Sequence, residues 1–200
     1  LWAPTVEAVY PPGYATTVQV SGLDAALCGA ARPGHFDGVA TVVAKLFNQV
    51  QPDIALFGEK DWQQLAIIRR MARDLDLAHP HADRVLGVPT VREADGLAMS
   101  SRNKYLTAEE RAAAPAMNRA MREAAASIAA GEPVAQTLAA LKGAVLAAGF
   151  RSIDYAYLRD ADTLEDLPTY DGRNARLLVA AHIGKARLID NVAVLRGETC

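Results

Sequence analysis

The chain predicts an α/β fold, a parallel sheet with helical crossovers that is incomplete at its N-terminal side. A smaller α+β domain with a short antiparallel sheet follows it. Three observations carry this reading. Residues 39–75 alternate helical, strand-like and again helical apolar patterns, the rhythm of parallel strands joined by crossovers. Residues 153–195 hold three β-rich apolar segments separated by short turns, and short connections imply antiparallel pairing. Pro89 and Arg92 fall between the two patterns, giving domains 1–90 and 91–200.

In order along the chain, Pro11-Pro12-Gly13 marks a turn, and residues 16–20 form a β-branched run expected to be a strand. Arg32-Pro33-Gly34-His35 is a second turn. Val39, Val42, Val43, Leu46, Phe47 and Val50 then recur at helical spacing. Residues 54–57, Ile-Ala-Leu-Phe, read as a buried strand that Gly58 interrupts. Asp61 is expected to cap the next helix with Gln64 as its partner. Leu65, Ile68, Met71, Ala72 and Leu75 supply that helix's buried stripe. Residues 85–91 read as a strand running into a linker, and residues 92–103 as a loop. Thr107 and Glu110 form a capping box, and Pro115 kinks or restarts the Ala-rich helix that follows. Gly131-Glu132-Pro133 separates it from a second helix, which ends at Gly149. Strands are expected at 153–159, 177–183 and 186–195.

With 200 residues, 51% hydrophobic and 22% charged, the chain can bury a sizeable core. A net charge of −2 offers no global basic field for nucleic acid. The apolar run 39–47 is interrupted by Lys45 and is far shorter than the roughly 18 residues a membrane span needs. Cys28 and Cys200 have no metal-type spacing and read as thiols of a reducing cytoplasm. Leu1-Trp2-Ala3-Pro4 reads as mid-domain sequence, so an N-terminal part is expected to be missing.

Two segments can carry chemistry. In the first, a strand ends at Gly58 and feeds Glu59, Lys60 and Asp61 at a helix start. In an open α/β sheet that corner suits a nucleotide phosphate, because unpaired N–H groups and a lysine charge converge there. The same residues also serve as an ordinary helix start with surface charges. In the second segment, Met99-Ser100-Ser101-Arg102 sets two hydroxyls beside a guanidinium. This makes a poor core and a good phosphate clamp, although a solvated interdomain loop has the same composition.

Taken together, Arg32-Pro-Gly-His-Phe36 with residues 38–43, the 58–65 block, residues 89–103 and Ala186-Arg-Leu-Ile-Asp-Asn191 resemble the pantothenate synthetase family in order. Trp62 stands where that family usually has Tyr. Met99-Ser-Ser-Arg102 is also similar to the pyrophosphate-stabilising loop of class I aminoacyl-tRNA synthetases. The resemblance implies a Rossmann-like nucleotidylyltransferase fold and ATP-dependent condensation of pantoate with β-alanine through pantoyl adenylate, with Mg²⁺ carried on the phosphates. It implies ATP contacts at Gly58, Glu59, Lys60, Asp61, Val91, Met99, Ser100, Ser101 and Arg102, with Lys60, Ser100, Ser101 and Arg102 catalytic. Gln64 would hold pantoate, and Arg32 and His35 would line the site or a subunit contact. A homodimer is expected from it, in the cytoplasm, and Gly96 with the serine pair makes the second motif a candidate lid.

The departure is the family's His-x-Gly-His motif. His35, His79, His81 and His182 do not form it, and His182-Ile183-Gly184-Lys185 has Lys in place of the second histidine. The histidine pair is therefore expected upstream of Leu1, and the 200 residues alone to be inactive. The alternatives are a related nucleotidylyltransferase that makes a dinucleotide, or a non-catalytic nucleotide-binding or dimerising piece.

Overall fold

The computed structural model describes residues 1–24 and 27–195, so Cys200 lies outside the described residues. Contacts divide the chain into units 1–88 and 89–200, the second being the longer.

In the first unit, the short helices α1 (Val6–Val9) and α2 (Cys28–Ala31) precede the long α3 (His35–Val50). Strand β1 (Ala55–Gly58) leads through a 3₁₀ turn (Glu59–Asp61) into α4 (Trp62–Asp74), and the chain returns as β2 (Val85–Val88). The two strands pair in parallel, Ala55 opposite Val85 and Gly58 opposite Val88, so the predicted strand–helix–strand crossover is present. Leu65, Ile67, Ile68 and Met71 are fully buried on α4, and Arg69 Nε donates to the Val85 carbonyl at 2.9 Å, tying helix to sheet. On the opposite face Leu56, Leu86 and Val88 remain exposed, although a parallel sheet is ordinarily covered on both sides.

Several local expectations fail for identifiable reasons. Residues 16–20 form no strand. The Val18 N–H donates instead to Thr41 Oγ1 on α3 at 2.9 Å, so a side chain rather than a ladder satisfies this backbone. Helix α3 starts at His35, earlier than its apolar repeat, because Gly34 adopts a left-handed conformation (φ 75°) that turns the chain into the helix. Its buried face is Phe36, Ala40, Val43, Ala44 and Phe47, leaving Val50 outside. Leu75 is also exposed, since α4 has ended at Asp74.

The second unit follows its predicted order. Thr107 caps α5 (Ala108–Ala113) with the reciprocal Glu110 bond, and Pro115 restarts the chain as the first residue of α6 (Pro115–Ala129). Helix α7 (Val134–Ala147) follows. Strands β3 (Ser152–Asp160), β4 (Ala175–Ile183) and β5 (Ala186–Val194) form an antiparallel sheet in that order. Its core face, with Ala156, Leu158, Leu177, Val179 and Leu188, packs with Met117, Met121, Ile128, Leu141 and Val145 of the two helices. Among the described residues, no helix is long and apolar enough to cross a membrane.

Candidate active site

The first motif sits at the carboxyl end of β1. Gly58 is extended (φ −66°, ψ 130°), and the chain tightens through the 3₁₀ turn before α4 begins at Trp62. This overturns the capping expectation. Asp61 makes no side-chain bond to the helix, because its φ −97° and ψ 59° lie outside the extended region a capping residue needs. Its carboxylate is exposed instead. Lys60 is half-buried within the 3₁₀ turn, and Gln64 is half-buried in the first turn of α4. The one-face spacing of an uninterrupted α-helix therefore does not relate Lys60 to Gln64. The Glu59 side chain lies against β2, where a Cβ on Gly87 would sit 2.8 Å from Glu59 Oε1. Its carboxylate is thus turned onto the sheet.

Beside this corner, the neighbouring Gln63 does what its position did not announce. It is 5% exposed, donates Nε2–H to the Leu23 carbonyl at 2.7 Å, and accepts the Cys28 N–H at 3.0 Å through Oε1. One amide thereby fastens the chain before α2 onto the start of α4. No periodicity in the sequence separates this buried glutamine from the half-buried Gln64. His35, at the start of α3, accepts a bond from Arg32 Nη2 through Nδ1 at 3.0 Å. Burial lowers its pKa, Arg32 lowers it further, and the carboxylate of Asp61 opposes both. Arg32, His35 and Asp61 thus share one electrostatic neighbourhood.

The second motif is more ordered than a solvated loop. Arg92 and Ala98 form an antiparallel bridge around a turn in which Gly96 has φ 91°. The Glu93 N–H donates to the Leu97 carbonyl (2.8 Å) and the Met99 N–H to the Val91 carbonyl (2.9 Å). Leu97 and Ala98 are buried, whereas Val91 is 63% and Met99 52% exposed. Ser100 Oγ accepts the Arg102 N–H at 3.2 Å and so caps a 3₁₀ helix (Ser101–Tyr105), leaving its own hydroxyl hydrogen available. Ser101 and Arg102 are exposed. Asp95 pairs with Arg111 at 2.6 Å, which holds its carboxyl below the usual range.

The near-miss at residues 182–185 is structural. It forms the tight turn between β4 and β5, and His182 Nε2 pairs with Asp154 at 3.2 Å. Cys28 is in no disulfide among the described residues.

The model of the Pantoate-beta-alanine ligase family matches residues 1–193. The chain belongs to this family. It is 68% identical over 194 residues to a pantothenate synthetase of Novosphingobium aromaticivorans, covering 97% of this chain and 68% of that protein. Identity to the Sphingopyxis alaskensis pantothenate synthetase is 62%, with the same coverage. Among solved structures, the pantothenate synthetase of Thermus thermophilus superposes with a TM-score of 0.87 at 50% identity, covering 96% of this chain and 68% of that one. The Francisella tularensis pantoate-beta-alanine ligase, complexed with Beta-gamma ATP and β-alanine, gives 0.69 at 29% identity, covering 93% and 61%. A nucleotidylyltransferase-like fold and membership of this ligase family accordingly stand together. The chain is thus a ligase of the family that joins pantoate and β-alanine in an ATP-dependent reaction.

Proposed function

We propose that the chain serves the ATP-dependent ligation of pantoate with β-alanine through a pantoyl-adenylate intermediate, with its two motifs dividing the work. The observation that carries the site reading is the corner itself: Lys60 stands just beyond the carboxyl end of a parallel strand, where open α/β sheets bind nucleotides. Residues 1–90 would form the ATP- and pantoate-binding domain and residues 91–200 an α+β domain that carries the second motif.

In the first step a pantoate carboxylate oxygen bonds to the α-phosphorus of ATP, and the bond to the bridging oxygen breaks as pyrophosphate leaves. Lys60 stabilises the charge that develops on that leaving group. Ser100 and Ser101 donate hydroxyl hydrogens and Arg102 its guanidinium to the phosphates. Gly58 and Glu59 contribute backbone, since the Glu59 carboxylate faces Gly87, and Asp61 accepts from ribose hydroxyls. Val91 meets adenine through its backbone, Met99 packs beside it, and Gln64 orients pantoate. In the second step the β-alanine amine bonds to the acyl carbon, AMP departs and the amine loses a proton. Exclusion of water protects the mixed anhydride between the steps.

Among the described residues no three His, Cys, Asp or Glu side chains gather to hold a metal. Mg²⁺ in this reading enters on the ATP phosphates as part of the substrate. A homodimer and a cytoplasmic location complete the proposal, and sedimentation equilibrium tests the first.

The decisive experiment is pantoate-dependent ATP–pyrophosphate exchange by the active ligase. Lys60→Ala should slow exchange about 10²-fold or more, as loss of a positioned charge donor does. A rate within about threefold of wild type would sink the assignment.

A further inference from the structure

The Ile189-Asp190-Asn191 segment of β5 belongs to the family-like motifs but has no role in the reaction described above. Asp190 is 3% exposed. Its carboxylate receives both arms of the Arg92 guanidinium, Nη1 to Oδ2 at 2.7 Å and Nη2 to Oδ1 at 2.9 Å. Asn118 Nδ2 on α6 donates to Oδ2 at 2.9 Å, and the Asn191 N–H donates to Oδ1 at 2.8 Å. Each oxygen therefore accepts two bonds, the full capacity of a carboxylate. Arg122 Nε holds the far side of Asn118 at 3.1 Å.

Arg92 is the first residue of the loop that carries the serine pair. Besides Asp190, its Nη1 donates to the Gly96 carbonyl at 3.1 Å, closing the turn across which Arg92 bridges to Ala98. Asn103 Nδ2 donates to the Ala98 carbonyl at 3.1 Å, and the Met99 N–H returns to Val91. The backbone entering Ser100 is thus fixed from both sides, and the fixed point lies on β5, 98 residues from Arg92 in sequence.

We propose that Asp190 is a positioning residue for the phosphate-binding loop: acting through Arg92, it holds the backbone from which Ser100, Ser101 and Arg102 project. This rests on the reading that those three residues bind the ATP phosphates. A buried carboxylate with four donors defines one loop geometry, where an apolar pair would fill the same space without fixing direction. The loop's polar end can then meet phosphate without first being ordered, so the consequence falls on ATP rather than on pantoate.

The test compares Asp190→Asn, Arg92→Lys and Arg102→Ala in the active ligase. The amide of Asp190→Asn turns a donor toward donors. Arg92→Lys keeps the charge but loses the fork, and it carries the test if Asp190→Asn does not fold. Both variants should raise the KM for ATP about tenfold or more and leave the KM for pantoate within about twofold. Trypsin should also cut faster after Arg102 and Lys104. Equal rises in both KM values, or a lower Tm with unchanged KM for ATP and unchanged cleavage, would overturn the proposal and leave a purely structural role. Arg102→Ala separates the two layers. If it leaves ATP affinity intact, the phosphate reading falls and the proposal falls with it. If it weakens ATP while Asp190→Asn and Arg92→Lys do not, only the positioning role is lost.

Discussion

His35 shows how a single residue can be legible in sequence by identity but not by state. Arg32 can only donate, so Nδ1 of His35 accepts, and the neutral ring carries its proton on Nε2. Burial first, then the Arg32 guanidinium, pushes the pKa below the ordinary 6.5, while Asp61 pulls it back. The sign follows: the fold favours the neutral ring, so this contribution to stability is present above pH 6.5 and fades as pH falls through the lower folded value. Arg32→Ala should raise the pKa of His35 and Asp61→Asn should lower it further, both readable from the imidazole shifts in an NMR pH titration. Gln63 and Gln64 make the complementary point. They are adjacent and chemically identical, yet one closes the chain before α2 and the other remains half-buried beside Lys60. Gln63→Ala should leave the Leu23 carbonyl and Cys28 N–H without this partner and lower the Tm. Gln64→Ala should spare stability and raise the KM for pantoate.

Elements were legible where their signals are local. The Thr107–Glu110 capping box and the restart at Pro115 need only residues within one turn, and both are present as the sequence indicated. Thr107→Ala should cost about 1 kcal/mol, measurable by urea unfolding. The strand expected at residues 16–20 and the cap expected at Asp61 failed because each depended on geometry set elsewhere. In the first case Thr41 takes the backbone bond, and in the second a 3₁₀ turn redirects the entry to α4. The β4–β5 turn adds a constraint invisible to turn chemistry. Gly184 has φ 52°, and a Cβ there would run into the Glu110 carboxylate at the start of α5. Gly184→Ala should therefore destabilise the second unit through its positive φ and by displacing the Glu110 carboxylate from the Thr107 N–H, a loss that urea unfolding would read.

Across the molecule as a whole, the acid response should come from the second unit. Burial would raise Asp154, but Arg187 and His182 outweigh it, and burial of Asp160 is outweighed by the Thr163 and Asp162 N–H groups. Arg173 holds Asp171 at about 2. All three sit below the ordinary 3.8, so the folded state binds fewer protons. The stability they lend is present above that value and is lost as pH falls from 3.8 toward 2. The Tm should fall across that window by far-UV circular dichroism, with little from the exposed Asp171 pair because solvent screens it, and a flat profile would count against the Asp154 and Asp160 pairings. Removing one partner of the buried Arg92–Asp190 pair should cost about 3–5 kcal/mol of stability. Order along the chain was enough to establish the α/β class, the capped start of α5, the antiparallel tail, the family and the two motifs, because periodicity, caps and motif order are properties of neighbours in sequence. It could not establish that Asp61 is no cap, that Glu59 turns to the sheet, that Gln63 closes a loop or that Asp190 grips Arg92. Each of these depends on which distant backbone or charge arrives within hydrogen-bond reach, and packing in three dimensions sets that.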